Sequence, residues 1–290
     1  MNEFLAFSCA FATALSNALA LTTQHIASRR STESLRGWRL WWYLAHQPLW
    51  FLGWLALVGS LVFQALALHF GPMSAVQPLL VTELIFGLLI RQLWLRQRVQ
   101  RRAWLSAVAT TVGLVLFLVA STPRAGTANP SSMHWVLTIA VSLAIVLALL
   151  AGVRGASARR RAALYGTMTG LLWALEATFI KATTDTLSSG GVGGMLVHWP
   201  FYAFIFGGVA GLLSEQAALH AGPLRVSQPL IVVVDPIVSV LFGLSLFAEH
   251  LRSSWSASTL SAAGLIMMSV GVITLTQSAP ETMVASPRLS

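Results

Sequence analysis

Long apolar stretches of about twenty residues, separated by short polar segments, dominate the pattern of hydrophobic and polar positions along this chain. A helix rises ~1.5 Å per residue, so about twenty residues cross the ~30 Å hydrocarbon core of a bilayer. The pattern therefore predicts an all-α membrane protein with nine transmembrane helices and no soluble domain. The predicted spans are 4–26, 47–69, 73–94, 104–121, 133–153, 162–182, 196–218, 224–247 and 257–276.

Composition and charge placement support this interpretation. Hydrophobic residues make up 56% of the 290 residues and charged residues 9%, which is too few charges for a soluble surface. Thirteen of the eighteen basic residues fall in the segments 29–39, 91–102 and 154–161. These segments follow the first, third and fifth spans, so they share one face, which the positive-inside rule makes cytoplasmic. We expect a multi-pass protein of the plasma (inner) membrane, with its amino terminus outside, its carboxyl terminus inside, and no nucleic-acid partner.

The sequence also repeats itself. A shift of 151 positions aligns helix breakers, an interfacial tryptophan and a glycine in one register without a gap. Repeats built from apolar spans are typical of secondary transporters, whose binding site lies between the two halves. The shift places His69-Phe70-Gly71-Pro72 on His220-Ala221-Gly222-Pro223, Gln77-Pro78-Leu79 on Gln228-Pro229-Leu230, Trp104 on Trp255 and Gly113-Leu114 on Gly264-Leu265.

The shift corresponds to five spans, an odd number, so the two halves must cross the membrane in opposite directions. The fifth span has no counterpart, and the plan is five helices plus four as an inverted repeat. Segments 122–132 and 185–195 are rich in Gly or Pro, and we expect flexible outer loops there. The predicted organisation is 1–153 for the first repeat, 154–161 for a basic cytoplasmic linker, 162–276 for the second repeat and 277–290 for a disordered cytoplasmic tail.

The carboxylates Glu83, Glu176 and Asp235 lie within predicted spans. A charge near the bilayer centre costs at least ~2.5 kcal/mol, so such residues normally face a protein interior or a water-filled cavity. They predict a cation or proton site; the alternative is a protonated acid hydrogen-bonded between helices. Ser16 and Asn17 in the first span are candidate partners, although polar residues also join helices without another role.

Other polar and small residues in the spans have simpler explanations. Lys181 is expected to extend to the outer membrane surface, and Glu215 to lie at the inner interface. The lone Cys9 provides neither a disulfide nor a cysteine-based metal site. Glycines within spans are expected to allow close helix contact. They are Gly53, Gly59, Gly87, Gly113, Gly264 and Gly271.

Prolines interrupt the third and eighth predicted spans. Pro78, Pro229 and Pro236 remove helical hydrogen bonds, and Gln77 and Gln228 each precede one of them. In an inverted arrangement, Gln77-Pro78 lies toward the outside and Gln228-Pro229 toward the cytoplasm. Two such hinges on either side of a central acid pair are what alternating access requires, and the alternative is a kink that serves packing.

These residues resemble a known superfamily. The segments Gly71-Pro72…Gln77-Pro78 and Pro229…Asp235-Pro236…Phe247-Ala248-Glu249-His250-Leu251…Gly264 are similar to the drug/metabolite transporter superfamily, especially its EamA-like members. The resemblance implies a helical bundle in which a helix with a central proline is followed by a short glutamate-containing turn. The nine-span layout also looks like that of NIPA-type magnesium transporters. EamA-like members usually have ten helices with the amino terminus inside, and the corresponding turn of the first half here reads Arg96-Gln97-Arg98.

Together these features predict a secondary-active transporter that moves a small solute by alternating access, with possible proton coupling. The first alternative is a NIPA-like pathway for magnesium or another divalent cation, with Glu83, Glu176 and Asp235 as oxygen ligands. The second is a non-transporting membrane protein that binds lipid or a partner. We expect no enzyme activity and no cofactor, because no nucleophile–base set or metal cluster is found. The bilayer and the solute or cation are the expected partners of a monomer or homodimer.

Overall fold

The computed structural model describes residues 3–30, 47–127 and 130–278. These residues form ten helices joined by short connections, and eight stretches are long and apolar enough to cross a membrane. The all-helical membrane fold is therefore confirmed at this level. The helices are α1 (Glu3–Arg30), α2 (Pro48–Phe70), α3 (Met73–Leu80), α4 (Glu83–Leu93), α5 (Arg101–Ser121), α6 (Ser132–Val153), α7 (Ala158–Val197), α8 (Trp199–Ala221), α9 (Leu224–Ser245) and α10 (Trp255–Ser278).

The predicted sixth span lies in α7, which is not among the eight. The segment predicted as an outer loop at 185–195 is helical except at Gly191, where a kink divides α7 into two helices, the second of which ends at Val197. The φ of Gly191 is 63°, in the left-handed region that glycine tolerates. The helix also starts at Ala158, within the predicted linker 154–161. Most of the predicted tail, 279–290, lies outside the described residues.

Two helix pairs show the same packing in the two halves of the chain. Helix α1 packs along α2, and α7 packs along α8; α1 also contacts α3 and α4, while α7 contacts α9. Across the halves, α5 packs against α10 and α3 against α9. The α3–α9 contact joins the two proline-containing spans, and we call it the central seam.

The α5–α10 contact is close because glycines face each other across it. A Cβ atom added to Gly113 would lie 2.7 Å from the Gly264 carbonyl oxygen, and one added to Gly264 would lie 2.6 Å from the Phe117 nitrogen. Gly271 faces Thr110 and Gly53 faces Thr23 in the same way. Close contact is not found at Gly59, whose nearest neighbour is Phe63 at 4.0 Å, or at Gly87, which has nothing within 4 Å. The prediction was wrong at those two positions because spacing alone does not show which face of a helix is covered.

Replacing Gly113 with Ala should destabilise the protein, although alanine favours a helix by about 1 kcal/mol over glycine. The new methyl group would meet backbone atoms of Gly264 and Met268, which cannot move without separating α5 from α10. The matched control is Gly87→Ala, which has open space around it and should be neutral or slightly stabilising. Thermal unfolding of both variants in detergent measures the difference. Equal melting temperatures would contradict the close contact.

Candidate functional site

Glu83 is positioned by a break in the third predicted span. Pro78 cannot donate to the Ser74 carbonyl, and the helix ends two residues later at Leu80. Val81 and Thr82 form a tight turn, in which the Thr82 hydroxyl donates to the Leu79 carbonyl at 2.7 Å. Helix α4 then begins at Glu83, so its carboxylate lies at the positive end of a helix dipole.

A short hydrogen-bonded chain holds the Glu83 carboxylate. The Asn17 amide Nδ2 donates to Glu83 Oε2 at 3.1 Å, and the Ser60 hydroxyl donates to Asn17 Oδ1 at 2.6 Å. These residues come from α1, α2 and α4, so the structure brings the predicted partner Asn17 to the acid. The neighbouring Ser16 is half-buried and takes no part in this chain.

Asp235 and Glu176 lie on α9 and α7, two helices that pack against each other. Asp235 is half-buried in the middle of α9 and accepts a hydrogen bond from the Ser239 hydroxyl at 3.1 Å. It is close enough to both Glu83 and Glu176 for electrostatic repulsion. The Glu176 carboxylate lies against α8, where a Cβ at Gly208 would be 3.2 Å from Glu176 Oε1. The three predicted acids are supplied by α4 and by the packed pair of α7 and α9.

A fourth acid, Glu215, lies on α8. It is half-buried, six residues before the helix ends at Ala221. Its spacing from Gly208 and Gly211, which face Glu176 and Trp173, puts it on the side of α8 that packs against α7. Its position at the inner interface stays a prediction.

Lys181 is buried, not extended to the membrane surface as predicted. Its side chain is 7% exposed and its ammonium donates to the Leu68 carbonyl at 2.7 Å and the Gly71 carbonyl at 3.3 Å. The same ammonium lies 5.4 Å from the centre of the Phe247 ring. The prediction failed because it assumed a lipid-facing side chain, whereas this face of α7 packs against the α2–α3 connection.

Glu249 closes the same end of the central seam. Its carboxylate accepts hydrogen bonds from the backbone N–H groups of Met73 at 2.6 Å and Ser74 at 2.9 Å. These are free N–H groups at the start of α3, so the charge caps that helix. Gly243 makes room for the carboxylate, since a Cβ there would overlap it. We call Lys181, Glu249 and the α2–α3 connection that they bind the polar lock.

The predicted hinge residues differ between the two halves. Gln77 and Pro78 are buried beside the break in the third span. Pro229 and Pro236 are buried and Gln228 is half-buried, but α9 continues through both prolines without a break. Gln77 Nε2 is buried without a hydrogen-bond partner in the structure, which leaves a donor available beside the seam.

The chemistry available at this site is that of clustered carboxyl groups. Within the described residues, none of the four acids forms an ion pair with a basic side chain, and no group of three or more His, Cys, Asp or Glu is arranged to hold a metal ion. Such carboxyl groups can bind and release protons, or neutralise the charge of a bound cation.

Comparison with known proteins gives a relative but no established activity. A protein of Corynebacterium glutamicum, described as uncharacterized, is 26% identical over 284 residues, which cover 98% of this chain and 95% of the relative. No protein-family profile matches the chain. No solved structure matches it either.

Proposed function

We propose that the protein is a secondary-active membrane transporter of the drug/metabolite type that moves a small, positively charged solute by alternating access coupled to protons. The observation that carries this proposal is the presence of Glu83, Asp235 and Glu176 within the helices of the bundle, where none of them forms an ion pair with a basic side chain of the described residues. Keeping such acids in a membrane is costly, and a purely structural protein gains nothing from them.

The proposed architecture has nine crossings, with α7 as the sixth, arranged as five plus four in an inverted repeat. The repeat is supported by the matching contacts of α1 with α2 and of α7 with α8. It is also supported by the contacts of α5 with α10 and of α3 with α9, which join the two halves. The basic segments are proposed to be cytoplasmic and the amino terminus external, following the positive-inside rule. We call the bundle end with residues 94–100 and 154–157 the basic end.

Alternating access is supported by the difference between the two ends of the central seam. Opposite the basic end, the polar lock joins α2, α3, α7 and the connection between α9 and α10. Backbone hydrogen bonds between Arg124 and His250 also join the connection between α5 and α6 to the connection between α9 and α10. In the proposed cycle, the end that holds the polar lock is closed in this structure and opens when the contacts of the lock break. The interruption at residues 81 and 82 lets α3 move relative to α4.

A divalent-cation pathway of the NIPA type has less support. Magnesium in proteins binds one or two carboxylates and keeps several waters, so a loose site is chemically possible. The described acids, however, do not converge as a group of three. A non-transporting protein that binds lipid is the alternative from another class. One thermal-shift experiment distinguishes these three functions.

A thermal-shift screen of the purified protein tests the proposal. The probes are tetraphenylphosphonium as an organic cation, leucine as a zwitterion, citrate as an anion, magnesium chloride, and an anionic lipid. A cationic ligand at about 100 times its Kd should raise the melting temperature by about 5 °C. The shift should disappear in Asp235→Asn. A shift with magnesium alone would favour the divalent-cation pathway, and a response to anionic lipid alone would favour the non-transporting alternative.

A further inference from the structure

The connection between α4 and α5 forms one wall of a cavity at the basic end. The cavity has a volume of about 500 Å³ and is lined by Gln92, Arg96, Gln97, Arg98, Val99 and Trp104. We propose that it binds the phosphate headgroup of one anionic phospholipid, whose acyl chains lie along α5. This binding requires that the basic end lies at a membrane surface, and it does not depend on transport.

The connection differs in chemistry from its repeat equivalent, which forms part of the polar lock. The shift of 151 positions places Arg96-Gln97-Arg98 on Phe247-Ala248-Glu249. The Glu249 side chain is 4% exposed and accepts hydrogen bonds from the start of α3. Arg98 is exposed, and its guanidinium can only donate hydrogen bonds, so it cannot cap a helix in that way. Where the second half holds an anion of its own, the first half therefore presents cationic donors to a cavity.

Side-chain hydrogen bonds hold the walls of the cavity in place. The Trp104 indole N–H donates to Gln92 Oε1 at 3.0 Å, which joins the start of α5 to the end of α4. On the opposite side of the connection, Arg91 Nε donates to Gln97 Oε1 at 3.1 Å. These bonds shape the cavity without using the guanidinium groups of the other arginines.

The apolar side of the cavity rests on the core of the bundle. Val99 and Trp104 pack against a buried apolar cluster contributed by α4, α5 and α10. The cluster consists of Leu88, Ala103, Ala107 and Leu275. The cavity therefore has a fixed floor, and its polar side faces away from the core.

The charged groups at the cavity suit a phosphate. Arg96 and Arg98 line it, and Arg101 and Arg102 follow with exposed side chains at the start of α5. Within the described part of the chain, none of these four arginines forms an ion pair. A guanidinium can donate two parallel N–H bonds to phosphate oxygens. The six lining residues include no carboxylate, so none of them repels an anion.

The exposed face of α5 favours a lipid over free phosphate. Its apolar residues recur every three or four positions, so they form one row along the helix. The row consists of Leu105, Val108, Val112, Val115 and Val119, and each is between 47% and 71% exposed. It is about 21 Å long, which exceeds the ~15 Å of hydrocarbon in one leaflet. Arg101 lies one turn before Leu105, so the row starts where a headgroup in the cavity would place its chains.

Native mass spectrometry of the full chain in nonionic detergent tests this site without a transported solute. The probes are dioleoylphosphatidylglycerol, dioleoylphosphatidylcholine with the same chains on a zwitterionic headgroup, and glycerol 3-phosphate without chains. The wild type should bind one phosphatidylglycerol about tenfold or more tightly than phosphatidylcholine, and it should not bind glycerol 3-phosphate at the same concentration. Arg96→Gln combined with Arg98→Gln should weaken phosphatidylglycerol binding about 30-fold, since each arginine near the surface contributes roughly fivefold.

Arg159→Gln combined with Arg160→Gln is the matched control. It removes the same charge from exposed positions near the start of α7, outside the cavity, and should change the Kd by no more than about threefold. Arg96→Lys combined with Arg98→Lys keeps the charge but loses the two-point geometry, so it should weaken binding by a smaller factor than the Gln pair. Equal weakening by the Gln pair and the control pair would overturn the cavity as the site, because surface charge alone would then attract the lipid.

The other outcomes test the identity of the ligand. Equal binding of phosphatidylcholine would overturn recognition of an anion, and equally tight binding of glycerol 3-phosphate would overturn a lipid as the occupant. If the Gln pair does not fold, Trp104→Phe replaces it, because this change frees Gln92 from its donor and alters the wall of the cavity. Phosphatidylglycerol binding should then weaken, and unchanged binding would reject the site. Loss of lipid binding in these variants leaves the proposed transport untouched, and failure of the cation screen leaves the lipid site untouched.

Discussion

Replacing Asp235 with Asn should abolish coupled transport and its dependence on pH. Asn keeps the shape of the side chain and can still accept from the Ser239 hydroxyl, but it cannot release a proton or balance a positive charge. In the wild type, a cationic solute favours the ionised acid. Binding should therefore release protons and become tighter as the pH rises through the range in which Asp235 and Glu83 titrate together. Uptake and binding of the cation found in the screen, measured with reconstituted protein from roughly pH 5.5 to 8.5, report both effects.

Two further variants serve as comparisons for Asp235→Asn. Glu83→Gln should weaken uptake and flatten the pH profile, because Asn17 and Ser60 can still hold the amide near Asp235. Glu3→Gln removes an acid that is exposed at the start of α1 and should change nothing. If Asp235→Asn transports at the wild-type rate with the wild-type pH profile, the central acids are structural and the proposed site is wrong.

Helix positions could be predicted well because bilayer thickness fixes the length of each apolar segment. The predicted third span at 73–94 corresponds to Met73–Leu93, and the eighth at 224–247 begins at the same residue as α9. The proline at 78 indicated an interruption, although the sequence does not show that the helix ends and restarts at Glu83. Which proline breaks a helix depends on its neighbours: α9 contains two prolines and remains continuous.

Side-chain partners were predicted less well because depth along a span does not show which way a residue faces. Lys181 lies near the end of a predicted span, where a charge usually reaches water, so the membrane surface was the reasonable expectation. The structure instead turns Lys181 toward the Leu68 and Gly71 carbonyls, which lie far from it in the sequence.

The segment 185–195 shows the limit of composition as a guide. Four glycines there predict a loop, since each disfavours a helix by about 1 kcal/mol. In the structure the hydroxyls of Ser188 and Ser189 donate to the Asp185 carbonyl, as serines do within a continuing helix. The backbone departs from the helix only at Gly191.

Breaking the polar lock should open the end of the seam opposite the basic end. Glu249→Gln removes a charge and one of the two hydrogen bonds to the start of α3, and Lys181→Met leaves the Leu68 and Gly71 carbonyls without their donor. A hydrogen bond to a charged group contributes about 1.5–3 kcal/mol, so losing one should shift the open–closed balance by about tenfold or more.

Labelling of a buried cysteine measures this opening. Ala75 lies on α3 beside the lock and is 1% exposed, so Ala75→Cys in a Cys9→Ala background should react slowly with a membrane-impermeant maleimide added outside intact cells. Glu249→Gln and Lys181→Met should each accelerate that reaction about tenfold or more. A second reporter, Ala158→Cys at the exposed start of α7, should react only from the cytoplasmic side and so checks the orientation.

His250→Gln is the matched control for the lock. The His250 side chain is exposed and its backbone, not its ring, pairs with Arg124, so the substitution should leave labelling of Ala75→Cys unchanged. If Glu249→Gln and Lys181→Met label as slowly as the control, these contacts stabilise the fold without gating it. If either variant instead raises labelling from the cytoplasmic side, the closed end has been assigned to the wrong face of the membrane. Acceleration from outside in both variants, with His250→Gln unchanged, would mean that Lys181 and Glu249 hold the outer side of the seam closed.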